Sequence, residues 1–243
     1  MRLRLIACEI LYREFCWAVA RSIHQVDADF LPKGLHDLGA DPMRRRLQEA
    51  IDRTDPSRYD AVLLGYALCG MGLAGLRARA LPLVVPRAHD CIALFLGSRQ
   101  RYAEYFRSHA GTYFLTSGWI ERGQDLPQLA IQQKLGLRRS FEELAARYGE
   151  DNARYLVEQL GDLRRHYRRL AFIRMGIEPE GRFEEMARGE AERHGWEFER
   201  LEGDLSLIRR LVDGPWDDDF LRVPPGGRIV PTYDEDIVTW EAS

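Results

Sequence analysis

Three of the four cysteines lie at or shortly after the carboxyl ends of predicted strands, and thiols in that position are suited to metal chemistry. Cys8 follows an apolar run at the amino terminus, Cys69 follows the run Tyr59–Tyr66, and Cys91 follows the run Leu81–Val85. Ligands of open parallel sheets bind beyond the carboxyl ends of the strands, near the point where strand order reverses. We therefore expect the three thiols to lie at one edge of a sheet. Four cysteines in 243 residues do not predict a disulfide framework, which is typical of small secreted domains.

Two histidines also follow predicted strands and would supply a nitrogen ligand. His89 is two residues before Cys91, and His36 follows the second predicted strand. Three thiolates and an imidazole form a tetrahedral zinc set, whereas three thiolates with an open fourth position suit an iron–sulfur cluster. The chain has no C-x-x-C motif, so the spacing leaves both cofactors open, together with the choice between His36 and His89.

Further polar residues follow the same predicted strands. We predict catalytic roles for His89, Glu9 and Tyr66, with His89 as a metal ligand or as an acid or base. The residues expected to contact a bound cofactor or substrate are Lys33, His36, Gly70, Gly72 and Arg87.

The glycines after Cys69 match the G-x-G-x-x-G pattern of dinucleotide-binding proteins at Gly70, Gly72 and Gly75. The next predicted strand begins at Leu81, which leaves too little chain for a crossover helix. We therefore expect these glycines to let the backbone approach whatever Cys69 binds, rather than to hold a nucleotide.

Alternating strands and helices in the first half predict a doubly wound α/β fold with a mostly parallel sheet. The strands expected in this sheet are Leu3–Ala7, Val26–Leu31, Tyr59–Tyr66, Leu81–Val85 and Gly111–Thr116. The helices expected between them are Glu14–His24, a helix with Asp41 as N-cap that ends near Arg53, and Ile92–Ser108.

The second half has a more helical pattern. Helices are expected within residues 141–169 and over Phe183–His194 and Leu205–Val212, and strands over Leu170–Ile173 and Trp196–Leu201. Phe220–Val223 leads into a Pro-Pro-Gly-Gly turn and an extended tail. We expect residues 1–120 to carry the site, and residues 121–243 to pack on the same sheet or to form a second lobe.

Composition excludes several classes of partner. Lys and Arg total 35 and Asp and Glu total 38, a net charge of −3, which argues against general nucleic-acid binding. No run approaches the roughly 20 apolar residues that cross a bilayer. The first apolar run ends at Glu9, too early for an export signal. A soluble, cytoplasmic protein is expected.

The chain also resembles a family catalogued as domain of unknown function 1638. The segments that carry this resemblance are Ile6–Glu9, Leu35–Asp37, Leu64–Gly70, Pro86–Cys91, Gly203–Asp204, Gly214–Asp217 and Phe220–Leu221. The resemblance implies that Cys8, His36, Cys69, His89 and Cys91 are the functional residues. Members are associated with corrinoid methyltransferase systems, which implies a corrinoid protein as a partner.

The tripeptide His89-Asp90-Cys91 resembles the zinc site of cobalamin-dependent thiol methyltransferases of the uroporphyrinogen-decarboxylase superfamily. In those enzymes zinc lowers the pKa of a thiol and makes it a methyl acceptor. This likeness implies a metal-dependent transferase that acts on a small molecule.

Three hypotheses follow. The first is a metal-thiolate enzyme, with methyl or one-carbon transfer as the favoured reaction. The second is an accessory protein that binds a metal, an iron–sulfur cluster or a corrinoid without catalysing a reaction. The third is a thiol or redox-sensing protein in which two of the cysteines form a disulfide.

Overall fold

The computed structural model describes residues 1–122, 149–150, 167–179 and 181–242. Five strands form the first sheet: β1 (Arg2–Cys8), β2 (Gln25–Leu31), β3 (Ala61–Gly65), β4 (Leu83–Pro86) and β8 (Phe220–Val223). Their spatial order is β2-β1-β3-β4-β8, with four parallel strands and β8 antiparallel to β4. The predicted α/β fold with a mostly parallel sheet is confirmed. Strand order reverses between β1 and β3, because the chain leaves β1 toward β2 and then returns past β1 to β3.

Helices cover both faces of this sheet. The connections from β1 to β2 and from β2 to β3 run in opposite directions, so right-handed crossovers place α1 (Tyr12–Val19) and α2 (Ala40–Asp52) on opposite faces. Helix α7 (Ser206–Asp213) packs beside α1. Phe15 of α1 is fully buried against Gly65, and α2 buries Met43, Leu47 and Ile51. Every residue of β3 is buried, as its continuous apolar run predicts.

A second sheet contains β5 (Thr112–Leu115), β6 (Arg169–Arg174) and β7 (Glu197–Glu202). These three strands are parallel and lie in the order β5-β6-β7. The buried face of α6 (Arg182–His194) covers them with Phe183, Ala187 and Ala191. The prediction that β5 extends the first sheet is therefore wrong, since β8 occupies the position beside β4.

The carboxyl-terminal segment is a β-hairpin of β9 (Gly227–Pro231) and β10 (Val238–Ala242). The chain between β3 and β4 pairs with this hairpin: the backbone amides of Gly75 and Ala78 donate to the carbonyls of Ile229 and Gly227 at 2.8 and 2.9 Å. No helix lies between β3 and β4, all of which is described. This agrees with the prediction that the chain between these strands is too short for a crossover helix, which a dinucleotide-binding turn leads into.

Three predicted helix boundaries need correction. Helix α1 begins at Tyr12 and ends at Val19, whereas the prediction was Glu14–His24. Asp41 lies in the first turn of α2, and Gly39 occupies the N-cap position without a side-chain hydrogen bond. The helix predicted over Ile92–Ser108 is two helices, α3 (Cys91–Leu96) and α4 (Arg99–Ser108). Gly97 ends α3 with a φ of +71°, and Ser98 caps α4 by accepting a hydrogen bond from the backbone of Arg101.

The other predicted elements of the second half are found where they are described. Strands β6 and β7 and helices α6 and α7 agree with prediction to within one or two residues. The helices predicted within residues 141–169 lie almost wholly outside the described residues, and Arg169 begins β6. Among the described residues, no helix has the length and apolar character needed to cross a membrane.

The two sheets meet where α5 (Ser117–Arg122), which follows β5, packs against the turn Glu9–Leu11 that follows β1. A Cβ atom added at Gly118 would lie 1.8 Å from the carbonyl oxygen of Ile10. A side chain is thus sterically excluded at Gly118, and the loop after β1 is held by elements of both sheets.

We predict that Gly118→Ala lowers the free energy of unfolding by about 3 kcal/mol or more, because the new methyl group meets backbone that has little freedom to move. Urea denaturation of the full chain measures this. The matched control is Gly189→Ala in α6, where no atom lies within 4 Å of an added Cβ. That change should stabilise the helix by roughly 0.5–1 kcal/mol. Equal stability of the Gly118→Ala variant and the wild type would contradict the close packing of the two sheets.

Candidate functional site

The three predicted thiols lie at the carboxyl edge of the first sheet. Cys8 is the last residue of β1, Cys69 lies in the loop after β3, and Cys91 is the first residue of α3, just after β4. Cys8 and Cys69 are 7% and 6% exposed, and Cys91 is partly buried. None of the cysteines forms a disulfide. The loops that carry Cys8 and Cys69 flank the point where strand order reverses.

Backbone hydrogen bonds hold Cys69 beside the loop that carries Cys91. The amides of Leu68 and Cys69 donate to the carbonyls of Ala88 and His89, both at 2.9 Å, and so extend the pairing of β3 and β4 past the strand ends. Cys69, Gly70 and Met71 have φ values of +47°, +63° and +76°. Left-handed backbone at a non-glycine residue costs of order 1–3 kcal/mol and persists where the surrounding structure enforces it.

The thiols raise one another's pKa values. Burial, with a smaller contribution from the neighbouring Cys8 thiol, raises the pKa of Cys69 to about 12. Burial also raises the pKa of Cys91 well above its ordinary value, and Cys69, Asp90 and Cys8 add to that effect. Without a nearby positive charge these thiols stay protonated. A bound cation would oppose these effects and favour the thiolates.

In the described residues, no three His, Cys, Asp or Glu side chains are arranged so that they hold one metal ion. The donor types and their positions at one edge suit a metal, and the side-chain positions do not form a ligand group. Metal binding would therefore require rotation of the thiol side chains toward a common point.

His36 and His89 have exposed side chains, in contrast to the buried thiols. Both lie close enough to Asp90 to act on its charge. Burial raises the pKa of Asp90, whereas the hydroxyl of Tyr102, which donates to Asp90 at 2.7 Å, and the two histidines lower it. The imidazoles are thus exposed to solvent, and both act on the partly buried Asp90.

Glu9 connects the loops after β1 and β2 to α5. Its Oε1 accepts a hydrogen bond from the backbone amide of Lys33 at 2.7 Å, and its Oε2 lies 3.8 Å from Nη1 of Arg122. Lys33 is 7% exposed, and its ammonium has no hydrogen-bond partner among the described residues. Glu9 therefore positions the Lys33 loop without pairing with its side-chain charge.

Tyr66 is buried in the centre of this edge, with 3% of its surface exposed. Gly65 pairs with Ala7, so Tyr66 lies level with Cys8, and residues in register on parallel strands point to the same face. The phenol has no hydrogen-bond partner among the described residues. Burial, followed by the charges of Cys8, Cys69 and Glu9, raises its pKa well above the ordinary value. Tyr66 is consequently a buried hydroxyl donor.

The remaining predicted binding residues have structural contacts. A Cβ at Gly72 would lie 2.4 Å from Sδ of Met43, so Gly72 permits close packing on α2. Gly70 supplies left-handed backbone, and an added Cβ there would meet no atom within 4 Å. Arg87 donates from Nη1 to the carbonyl of Asp236 at 3.0 Å and to that of Val238, which ties it to the hairpin β9–β10. Its predicted role in ligand binding has no support from these contacts.

A groove of about 650 Å³ lies between α2 and the edge strand β2. Leu31, Pro32 and Leu35, which flank Lys33 in sequence, line the groove, and no cysteine does. It is therefore next to the candidate site rather than part of it.

Sequence reasoning missed several residues of this region. Asp90 caps α3 by accepting a hydrogen bond from the backbone of Ile92 at 2.9 Å, and an Asp directly before an apolar helical run is a signal that could have indicated this. Glu14, Thr116 and Ser117 are buried near the junction of the two sheets, and their side-chain oxygens lack partners among the described residues. Pattern analysis could not distinguish Glu14 from a solvated helical residue.

A family model described as "Protein of unknown function (DUF1638)" matches residues 30–212 of the chain. The matched range includes Lys33, His36, Cys69, His89 and Cys91 and begins after Cys8 and Glu9. The match confirms the resemblance seen in the motifs. No curated protein and no solved structure matches the chain.

We predict that Glu14 makes stability pH-dependent. Burial raises its pKa from 4.5 to about 7, so the fold favours the neutral carboxyl. The resulting stability is present in full below the ordinary pKa and is lost as the pH rises through the folded-state value. Relative to the neutral variant Glu14→Gln, the wild type should lose roughly 2–3 kcal/mol of unfolding free energy between about pH 5 and about pH 8.

Urea denaturation of both proteins at the two pH values measures this difference. The exposed Glu104→Gln in α4 is the control and should show the wild-type pH dependence. Parallel pH profiles for the wild type and Glu14→Gln would contradict the prediction.

Proposed function

The chain belongs to the DUF1638 family of proteins of unknown function, and we propose that it is a metal-thiolate-dependent enzyme that acts on a small molecule. One observation carries the proposal: Cys8, Cys69 and Cys91 lie at or just after the carboxyl ends of β1, β3 and β4, which are neighbours in a parallel sheet. Ligand sites of open α/β sheets are found at this edge. The unpartnered Tyr66 and Lys33 in the same region indicate binding rather than packing alone.

The chemistry of the donor set supports zinc or an iron–sulfur cluster. Cys8, Cys69 and Cys91 would hold the metal through sulfur, and His89 or His36 would complete a zinc set from the solvent side. When bound, the metal would act as a Lewis acid that lowers the pKa of a substrate thiol or water, or polarises a carbonyl.

The protein's own side chains have distinct roles in this proposal. His89 and His36, on the exposed side, exchange protons between the substrate and solvent. Tyr66 donates a hydrogen bond to the bound substrate from the interior. Glu9 keeps the Lys33 loop in place through the backbone amide. Asp90 positions α3, and therefore Cys91, through its cap and its bond to Tyr102.

The reaction we favour is transfer of a methyl or other one-carbon group to a thiol, with a corrinoid protein as donor. The family resemblance and the likeness of His89-Asp90-Cys91 to a thiol methyltransferase site support this choice. In such a transfer the substrate sulfur loses its proton to a base and forms the new bond to carbon. The donor keeps the electron pair of the bond that breaks.

We predict that the protein purified without oxygen contains zinc or iron in a fixed ratio to the protein chain. Cys69→Ala should lower this metal content by at least about tenfold, because loss of a ligand weakens a metal site at least as much as loss of a supporting contact. Elemental analysis measures the metal, and the visible absorbance of a cluster distinguishes iron–sulfur from zinc. Cys16→Ala is the matched control, since Cys16 lies in α1 and is not a member of the thiol cluster.

Full metal content in the Cys69→Ala variant, or no metal in the wild type, would overturn the metal-thiolate assignment. A different outcome would support the second hypothesis, that of an accessory protein. In that case the metal content depends on Cys69, but no one-carbon group is transferred from a methylated corrinoid protein to any thiol.

A further inference from the structure

Lys33 is one of only two lysines in a chain whose Lys and Arg residues total 35, the other being Lys134. Its side chain is 93% buried, since only 7% is exposed, and its ammonium has no partner among the described residues. Removing an unpaired ammonium from water costs several kcal/mol unless an anion accompanies it. A buried lysine in this state therefore indicates a negatively charged group that binds beside it.

The anion is not supplied by Glu9, whose carboxylate is used by other groups. Glu9 uses one oxygen for the backbone amide of Lys33 and directs the other toward Arg122 at 3.8 Å.

Tyr66 gives a second, independent observation in the same region. Its hydroxyl is buried, protonated and without an acceptor among the described residues. Gly65 pairs with Ala7, which makes Tyr66 level with Cys8, and Cys8 pairs with Leu31, two residues before Lys33. The two donors therefore follow the strands that flank β1 and lie at the same carboxyl edge of the sheet. An ammonium and a phenol that both lack acceptors are complementary to oxygen atoms that carry negative charge.

The positive charge of Lys33 matches a ligand group with one negative charge rather than two. Arg87 is bonded to the hairpin β9–β10, and Arg122 is directed to Glu9 and lies 4.5 Å from the ring of Tyr12. A phosphate is usually bound by several cations or by a set of backbone amides. One ammonium and one hydroxyl fit a carboxylate.

We propose that the small molecule bound at this site carries a carboxylate, whose charge is bound by Lys33 and which receives a hydrogen bond from Tyr66. This inference rests on the proposed function in that it describes the substrate of the same site. It makes no use of the metal, and its test does not depend on turnover.

The test compares mercaptoacetate, which has a thiol and a carboxylate, with its neutral amide mercaptoacetamide, and uses acetate as the thiol-free probe. Calorimetric titration of the full chain gives the affinities. Mercaptoacetate and acetate should bind the wild type, and Lys33→Met should weaken both by at least about tenfold because a charge-assisted hydrogen bond is lost. Tyr66→Phe should weaken them by about threefold to tenfold, while binding of the amide changes little in either variant.

Lys134→Met is the matched control and should bind carboxylates as the wild type does. Two lysines also permit a direct readout: in protein labelled with carbon-13 at the lysine ε position, the signal that Lys33→Met removes should shift on addition of acetate. The signal of Lys134 should not shift.

Three results would overturn the proposal: wild-type affinity in the Lys33→Met variant, equal binding of acid and amide by the wild type, or no binding of either carboxylate. Loss of metal from the Lys33→Met variant would also overturn it, since Lys33 would then balance thiolate charge. This test can fail separately from the test of the proposed function. If the wild type contains no metal but binds carboxylates through Lys33, only the metal site is refuted. If the protein contains metal but binds carboxylates equally well without Lys33, only the carboxylate proposal is refuted.

Discussion

The pairing of the two loops after β3 and β4 is the constraint on which the rest of the site depends. β3 and β4 pair in register at Val62–Leu83 and Leu63–Val84, and pairing resumes beyond the strands through the amides of Leu68 and Cys69. Buried backbone groups must be hydrogen-bonded, so these bonds hold both loops in one conformation. They also explain why Cys69 tolerates a φ of +47°. Because the carbonyl of His89 is one of the acceptors, Cys69 and Cys91 are brought to the same point of the sheet edge.

The charges of this edge are divided between its two sides. The side formed by the loops after β1, β3 and β4 has acidic groups whose pKa values burial raises, namely the thiols of Cys69 and Cys91 and the phenol of Tyr66. The side formed by the loop after β2 has the ammonium of Lys33. A divalent cation bound by three thiolates leaves one excess negative charge, and a carboxylate bound by a lysine leaves none. The two proposed ligands therefore relieve two separate electrostatic costs, which is why the two binding events can be tested independently.

Much of the first sheet could be predicted from the sequence, because β3 and β4 are short, continuous apolar runs. The rule that ligands bind at carboxyl edges then placed Cys8, Cys69 and Cys91 together without any local motif. The pairing of β5 with β6 could not be predicted, since it depends on whether the position beside β4 in the first sheet is free for β5. That position is occupied by β8, which lies near the other end of the chain. The burial of Lys33 and Glu14 could not be predicted either, because charged residues are mostly exposed and only tertiary packing determines which of them are buried.

The second sheet also helps to position the site, because α5 follows the carboxyl end of β5 and packs against the turn Glu9–Leu11 after β1. Gly118 of α5 lies against the carbonyl of Ile10, and Arg13 of α1 donates to Glu121 of α5 at 2.7 Å. Arg122 of α5 shares the carboxylate of Glu9 with the backbone of Lys33. Cys8 precedes Glu9 directly, so the segment that positions a predicted metal ligand is held by residues of both sheets. A displacement of α5 would move Glu9 and with it the loop of Lys33, which makes the pair of sheets, rather than the first sheet alone, the unit that defines the site.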